Sequence, residues 1–125
     1  MTWLRRDLGR RGEKLAAKHL RRKGYRILAK NVELGRYELD LVALAPSRDE
    51  LVFVEVRTRT SADPVPPEET VTPPKQRHIV RAAEHFIAGL GYPECYARFD
   101  VIGIVMPAHG KPVITHHEDA FRPEM

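Results

Sequence analysis

The chain of 125 residues has a single cysteine, one tryptophan and an aromatic content of 7%. One thiol, Cys95, excludes an internal disulfide and a cluster of thiolate ligands. No window is long and apolar enough to span a bilayer, and no apolar run near the N-terminus resembles a secretory signal. These absences point to a cytoplasmic protein with no membrane partner. In the linear sequence Trp3 and the scattered tyrosines show no base-stacking platform of the kind seen in single-strand binders. No internal repeat and no second domain is visible, and the length suits one domain, residues 1–125, around one core.

Positive charge is plentiful but uneven. Residues 1–30 hold eleven Lys and Arg against Asp7 and Glu13, a local charge of +9 that leaves −5 for the remainder of a chain whose total is +4. Arg outnumbers Lys by 15 to 6. A basic arm on an acidic body suits a polyanion such as nucleic acid. A solvated helix face is the other reading.

The periodicities predict an α/β protein with the order α-β-β-β-α-β-β. Trp3 to Lys23 reads as a helix, with Leu4, Leu8, Leu15 and Leu20 near one stripe, Arg10, Lys14, Lys18 and Arg21 on another, and Gly24 as the stop. Glu13 shares its side with Gly9, Ala16 and Ala17, so it points either to the sheet or, as an ordinary surface Glu, to nearby arginines. Tyr25 to Val32 reads as a strand, Asn31 to Arg36 as a turn, and Tyr37 to Leu44 as a second strand. In that strand Tyr37, Leu39, Leu41 and Ala43 should face one way, and Glu38, Asp40, Val42 and Leu44 the other. Leu51 to Arg57, apolar on both faces, reads as a covered central strand. Thr58 to Pro74 holds five of the ten prolines and reads as a loop, either a gate or a connector. Thr72 and Pro73 open a second helix with Ile79, Ala82, Ala83, Phe86, Ile87 and Leu90 as its apolar stripe, ended by Gly89 and Gly91. Ala97 to Met106 and a short Pro112 to His116 complete about five strands in a mixed sheet.

Charge sits where these strands should be apolar. Asp40 and Glu55 fall on adjacent strands, and a buried carboxylate without a partner is costly. Either they pair with Arg57, two residues beyond Glu55 on the same face, or they hold a cation. Magnesium or manganese suits such oxygen ligands, and Arg57 could grip a phosphate oxygen. His116, His117, Glu118 and Asp119 are a weaker ligand set, because adjacent strand residues point to opposite faces; a polar terminus is the simpler reading. His78 and His85 read as helix surface. Asp100 could pair with Arg98, cap a turn or lie near the acids.

The motifs Gly9-Arg10-Arg11-Gly12-Glu13-Lys14-Leu15-Ala16, Gly24-Tyr25-Arg26-Ile27-Leu28 with Asn31, Glu38-Leu39-Asp40-Leu41-Val42-Ala43 and Leu51 to Arg59 occur in an order that resembles the YraN-like family of uncharacterised bacterial proteins. Lys75, Arg98-Phe99-Asp100-Val101 and Asp119-Ala120-Phe121 extend the resemblance over nearly the whole chain. It implies a restriction-endonuclease-like fold and kinship with Holliday-junction resolvases and other nucleases of the PD-(D/E)xK type. By that resemblance Glu13 matches the helix acid, Asp40 the Asp and Glu55 the Glu of the metal site. Arg57 takes the Lys place, and Gln76 or Lys75 matches the polar residue of the second helix. Mg2+ or Mn2+ is the implied cofactor. DNA, branched or single-stranded, is the implied partner, reached through Arg10, Arg11, Lys14, Arg59, Lys75 and Gln76. A homodimer is left open. Two departures stand out: Arg57 cannot serve as a general base, and Tyr37 stands where the family usually carries Gly. The expected function is a metal-dependent endonuclease or resolvase. The alternatives are a DNA-binding module without catalysis and a protein-interaction subunit.

Overall fold

In the computed structural model, which describes residues 2–61, 63–91 and 96–123 with side chains from residue 6 onward, five strands form one mixed sheet between two helices. The elements are α1 (Thr2–Arg22), β1 (Arg26–Leu34), β2 (Tyr37–Leu44), β3 (Glu50–Thr60), a 3-10 turn at Pro67–Thr70, α2 (Pro73–Leu90), β4 (Tyr96–Met106) and β5 (Val113–Phe121). The predicted order and α/β class are therefore observed. Strands lie in chain order, β1-β2-β3-β4-β5. Only β3 and β4 are parallel, and the crossover that a parallel pair requires is supplied by α2.

The helices cover opposite faces. Ala16, Ala17 and Leu20 of α1 pack with Leu41, Ala43, Val52, Val54, Ile102 and Ile104. Ile79, Ala82 and Ala83 of α2 pack with Leu39, Val42, Phe53, Phe99 and Val101. β3 is thus buried on both sides, as its two apolar faces predicted: Leu51 and Phe53 join the α2 cluster, Val52 and Val54 the α1 cluster. Small residues let α1 approach closely. A Cβ on Gly12 would overlap the Thr58 side chain of β3.

Several boundaries differ from expectation, each for a local reason. β1 runs on to Leu34, so the first hairpin turns on Gly35 and Arg36 alone, with Gly35 at φ +65. Strand alternation in β2 does not hold. Tyr37 and Leu39 belong with Val42 and Leu44 on the α2 side, while Leu41 and Ala43 lie on the α1 side. The two faces exchange across Asp40 and Leu41, where β2 begins to pair with β3. β3 continues through Thr60, and the proline-rich loop holds a 3-10 turn whose Glu68 meets His117 at 3.1 Å. Thr72 occupies the N-cap of α2 without a side-chain cap bond, and Gly91 (φ 72) closes the helix while Gly89 lies inside it. β5 is longer than predicted and reaches Phe121, which stacks on Phe99 at 5.3 Å. The side chains of Trp3 and Leu4, and Cys95, lie outside the described residues. No helix among the described residues is long and apolar enough to cross a membrane.

Candidate functional site

The β2–β3 ladder ends at Leu41 and Val54. Beyond that pair the strands part, and the Val56 N–H donates to Asp40 Oδ2 at 2.9 Å instead of to a strand carbonyl. The carboxylate so satisfies a backbone donor that the splayed ladder would leave unpaired. One residue before, Glu55 is 5% exposed. Its Oε2 receives Arg57 Nη2 at 2.9 Å and Lys75 Nζ, from the first turn of α2, at 3.7 Å. Glu13 arrives from α1. All five side chains line one cavity of about 640 Å³.

Electrostatics here are unfavourable to negative charge. Burial pushes the Glu55 carboxyl up to about 8, the nearby Asp40 carboxylate adds to the rise, and Lys75 and Arg57 pull down without compensating. Glu13 is likewise raised, first by burial and then by Asp40, against a hydrogen bond from Asn31. Arg57 Nε is buried with no hydrogen-bond partner. An acid pair that resists full ionisation, beside a guanidinium with a spare donor, is a pocket that favours added positive charge at the acids and an added acceptor at Arg57.

The predicted acids Glu13, Asp40 and Glu55 thus meet in one pocket with Arg57, and the ion pair between Glu55 and Arg57 is also present. Among the described residues no three His, Cys, Asp or Glu stand close enough to hold a metal ion together. Asp40 and Glu55 are the close pair, with Glu13 in the cavity wall. Lys75 joins the pocket, and Arg59 sits at its rim, paired with Asp63 at 3.2 Å. Arg10, Arg11 and Lys14 are exposed on α1. Gln76 is not brought to the acids: its side-chain N–H donates to the Val71 carbonyl at 3.0 Å and it faces other cavities.

Two clusters go beyond the sequence reading, which offered the Arg98–Asp100 pair as one of three options and did not include His116 or the second cluster. Asp100 is fully buried on β4 and accepts two 2.8 Å bonds from Arg98, together with the Asp119 N–H at 3.0 Å. His116 of β5 lies 2.8 Å from it. Arg98 also reaches Glu50 at 3.2 Å and the Tyr25 hydroxyl at 2.6 Å. The His-rich segment is therefore no polar tail, and His116 and His117 serve two different acids. The available signal was Arg98-x-Asp100 inside an apolar strand, since residues two apart share a face. The second cluster is Tyr37 with Arg36, His78 and His85, brought together from a hairpin and a helix.

Residues 12–104 match the family described as Uncharacterised protein family UPF0102. The chain belongs to this family. UPF0102 relatives include a protein of Chlorobium phaeobacteroides (strain BS1), 47% identical over 84% of this chain and 82% of its own length. One of Pelobacter propionicus is 44% identical over 93% and 83%. One of Porphyromonas gingivalis (strain W83) is 47% identical over 92% and 84%. The matched UPF0102 span includes Glu13, Asp40, Glu55, Arg57, Lys75 and the Arg98–Asp100 pair, and ends before β5 and His116.

Proposed function

We propose that this UPF0102 protein binds DNA and presents Asp40 and Glu55 as a divalent-cation site of the phosphodiester-hydrolysing kind. One observation carries the reading: two carboxylates from different strands converge where the ladder opens, and burial with mutual repulsion raises the proton affinity of Glu55. A cation relieves that repulsion, and an all-oxygen donor set suits Mg2+ or Mn2+, which keep several waters and need few protein ligands. When bound, such an ion supplies Lewis-acid stabilisation of charge on a phosphate. Arg57, released from Glu55, holds a phosphate oxygen. Its charge is permanent, so it stabilises and does not take a proton. Glu13 closes the cavity from α1 and can hold a proton beside the reacting group, its affinity raised by burial and by Asp40. The exposed Arg10, Arg11 and Lys14 take neighbouring backbone phosphates. The resemblance to nucleases of the PD-(D/E)xK type supports the same assignment.

A second reading has its own observation. Arg57 stands in the Lys place and ties Glu55 at 2.9 Å, which favours a module that binds DNA without cutting it. The deciding experiment compares wild type with Glu55→Ala on junctions, flaps and single strands in Mn2+. Cleavage by wild type alone establishes the hydrolytic reading. Salt-dependent binding without cleavage in either protein establishes the second. Failure to retain any DNA at low salt removes both and leaves a protein-interaction subunit.

A further inference from the structure

A second cavity, of about 460 Å³, lies between the β1–β2 hairpin and the outward stripe of α2. It holds no acid pair. Four arginines line it, Arg36, Arg77, Arg81 and Arg122, against the single acid Glu84. Arg122 is engaged with Asp119 at 2.7 Å. Arg77 and Arg81 enter no ion pair among the described residues.

Two rings, Tyr37 and His78, line the cavity between these charges, and His85 lies outside the lining. Tyr37, the first residue of β2, has His78 at 5.5 Å and His85 at 6.3 Å between ring centroids, the latter nearly parallel at 24°. The Arg36 guanidinium lies 5.4 Å from the Tyr37 centroid and bonds weakly to its hydroxyl at 3.4 Å. Planar groups and free guanidinium forks in one cleft match the two repeating parts of a polynucleotide, a flat base and a phosphate. A metabolite anion would need only the charge, and an acidic peptide would not use the ring stack.

We propose that this cavity binds single-stranded DNA, with one base stacked on Tyr37 and adjacent phosphates held by Arg77 and Arg81. Arg36, on an exposed hairpin turn, is displaced from the ring or stacks on the far side of the base. The two cavities flank the first turn of α2: Lys75 faces Glu55, while Pro73, Gln76 and Arg77 line the basic cleft. A strand leaving the acidic pocket crosses that turn to reach Tyr37. The cleft so grips an unpaired segment next to the phosphate at the acids. This rests on the nucleic-acid reading above.

The test is binding in EDTA, so that it does not depend on metal or on cleavage. Fluorescence anisotropy compares a mixed-sequence DNA 12-mer with an abasic 12-mer carrying the same phosphates. Wild type should prefer the base-bearing strand roughly 10-fold, as expected for one stacked base. Tyr37→Phe should keep that preference and Tyr37→Leu should abolish it. Arg77→Ala with Arg81→Ala should weaken both oligomers and lower the logarithmic salt slope by about 1.4, two single-strand phosphates. The proposal falls if wild type does not discriminate, or if Tyr37→Leu keeps both its melting temperature and its preference. Should Tyr37→Leu not fold, unchanged affinity in the double arginine variant overturns it instead. Tighter binding of an RNA 12-mer overturns the choice of DNA. A wild type that holds no oligomer at low salt sinks this inference and the nucleic-acid reading together. Absence of cleavage touches only the hydrolytic part of that reading.

Discussion

Glu55→Gln should make the metal-free protein more stable at mildly alkaline pH, even though it deletes a residue with two ion pairs. The Glu55 carboxyl is raised from 4.5 to about 8, chiefly by burial and then by Asp40. A folded-state affinity above the unfolded one means that the native protein holds a proton the unfolded chain has released. The associated stability is fully present below about pH 4.5 and is lost as pH rises through about 8. One proton changes stability by about 1.4 kcal/mol per pH unit, so the window sets a ceiling of about 5 kcal/mol. Arg57 and Lys75 remain beside the ionised acid, and relaxation spends part of the rest. We expect about 2 kcal/mol, or roughly 8 °C in Tm for a domain of this size. Glutamine keeps the shape and a hydrogen-bonding head but cannot ionise. Its melting temperature should match wild type near pH 5 and exceed it at pH 8.5, in thermal melts followed by circular dichroism in EDTA. Parallel curves for the two proteins across that range would refute the electrostatic description of the pocket.

Manganese should likewise raise the Tm of wild type at pH 8, where the ionised acids repel most, and should leave Glu55→Gln nearly unmoved; equal shifts in both proteins would place any ion elsewhere. Gly12→Ala should cost about 3 kcal/mol, because the new methyl meets Thr58 where the helix crosses β3. Thr58→Ala in the same chain should recover part of that loss, and simple additivity in chemical denaturation would argue against the contact. Asp100→Asn should destabilise by about 3–5 kcal/mol, since it leaves the half-buried Arg98 without its main anion. Burial opposes ionisation of Asp100, but hydrogen bonds from His116, Arg98 and the Asp119 N–H outweigh it and hold its pKa below 3.8. That contribution is present above pH 3.8 and fades only as pH falls through the lowered value, so acid unfolding should begin at higher pH in the variant than in wild type.

Much of this was legible in the chain. The stripe from Ile79 to Ile87 and the two-sided run from Leu51 to Val56 announce a helix and a covered strand, because each pattern is a local period matched to a local geometry. Asp40, Glu55 and Arg57 were conspicuous for a related reason: charge inside apolar strands demands a partner. Their company came only through the family resemblance, which set Glu13 with Asp40 and Glu55 and left Lys75 or Gln76 open; no local pattern carried it. That Glu13 enters the same cavity, that Val56 donates to Asp40, and that Lys75 reaches Glu55 while Gln76 turns away depend on where the β2–β3 ladder stops and how the helices cross the sheet. The exchange of faces within β2 defeats an alternation rule that assumes an unbroken pleat. Arg98 and Asp100 are neighbours on one strand, but His116 meets Asp100 from 16 positions further along the chain, and Tyr37 meets His78 and His85 across a hairpin and a helix. Local sequence decides which segments become helix or strand, since it sets backbone and side-chain periodicity. Only the folded register decides which distant charges share a cavity, since that is settled by the packing of all the segments at once.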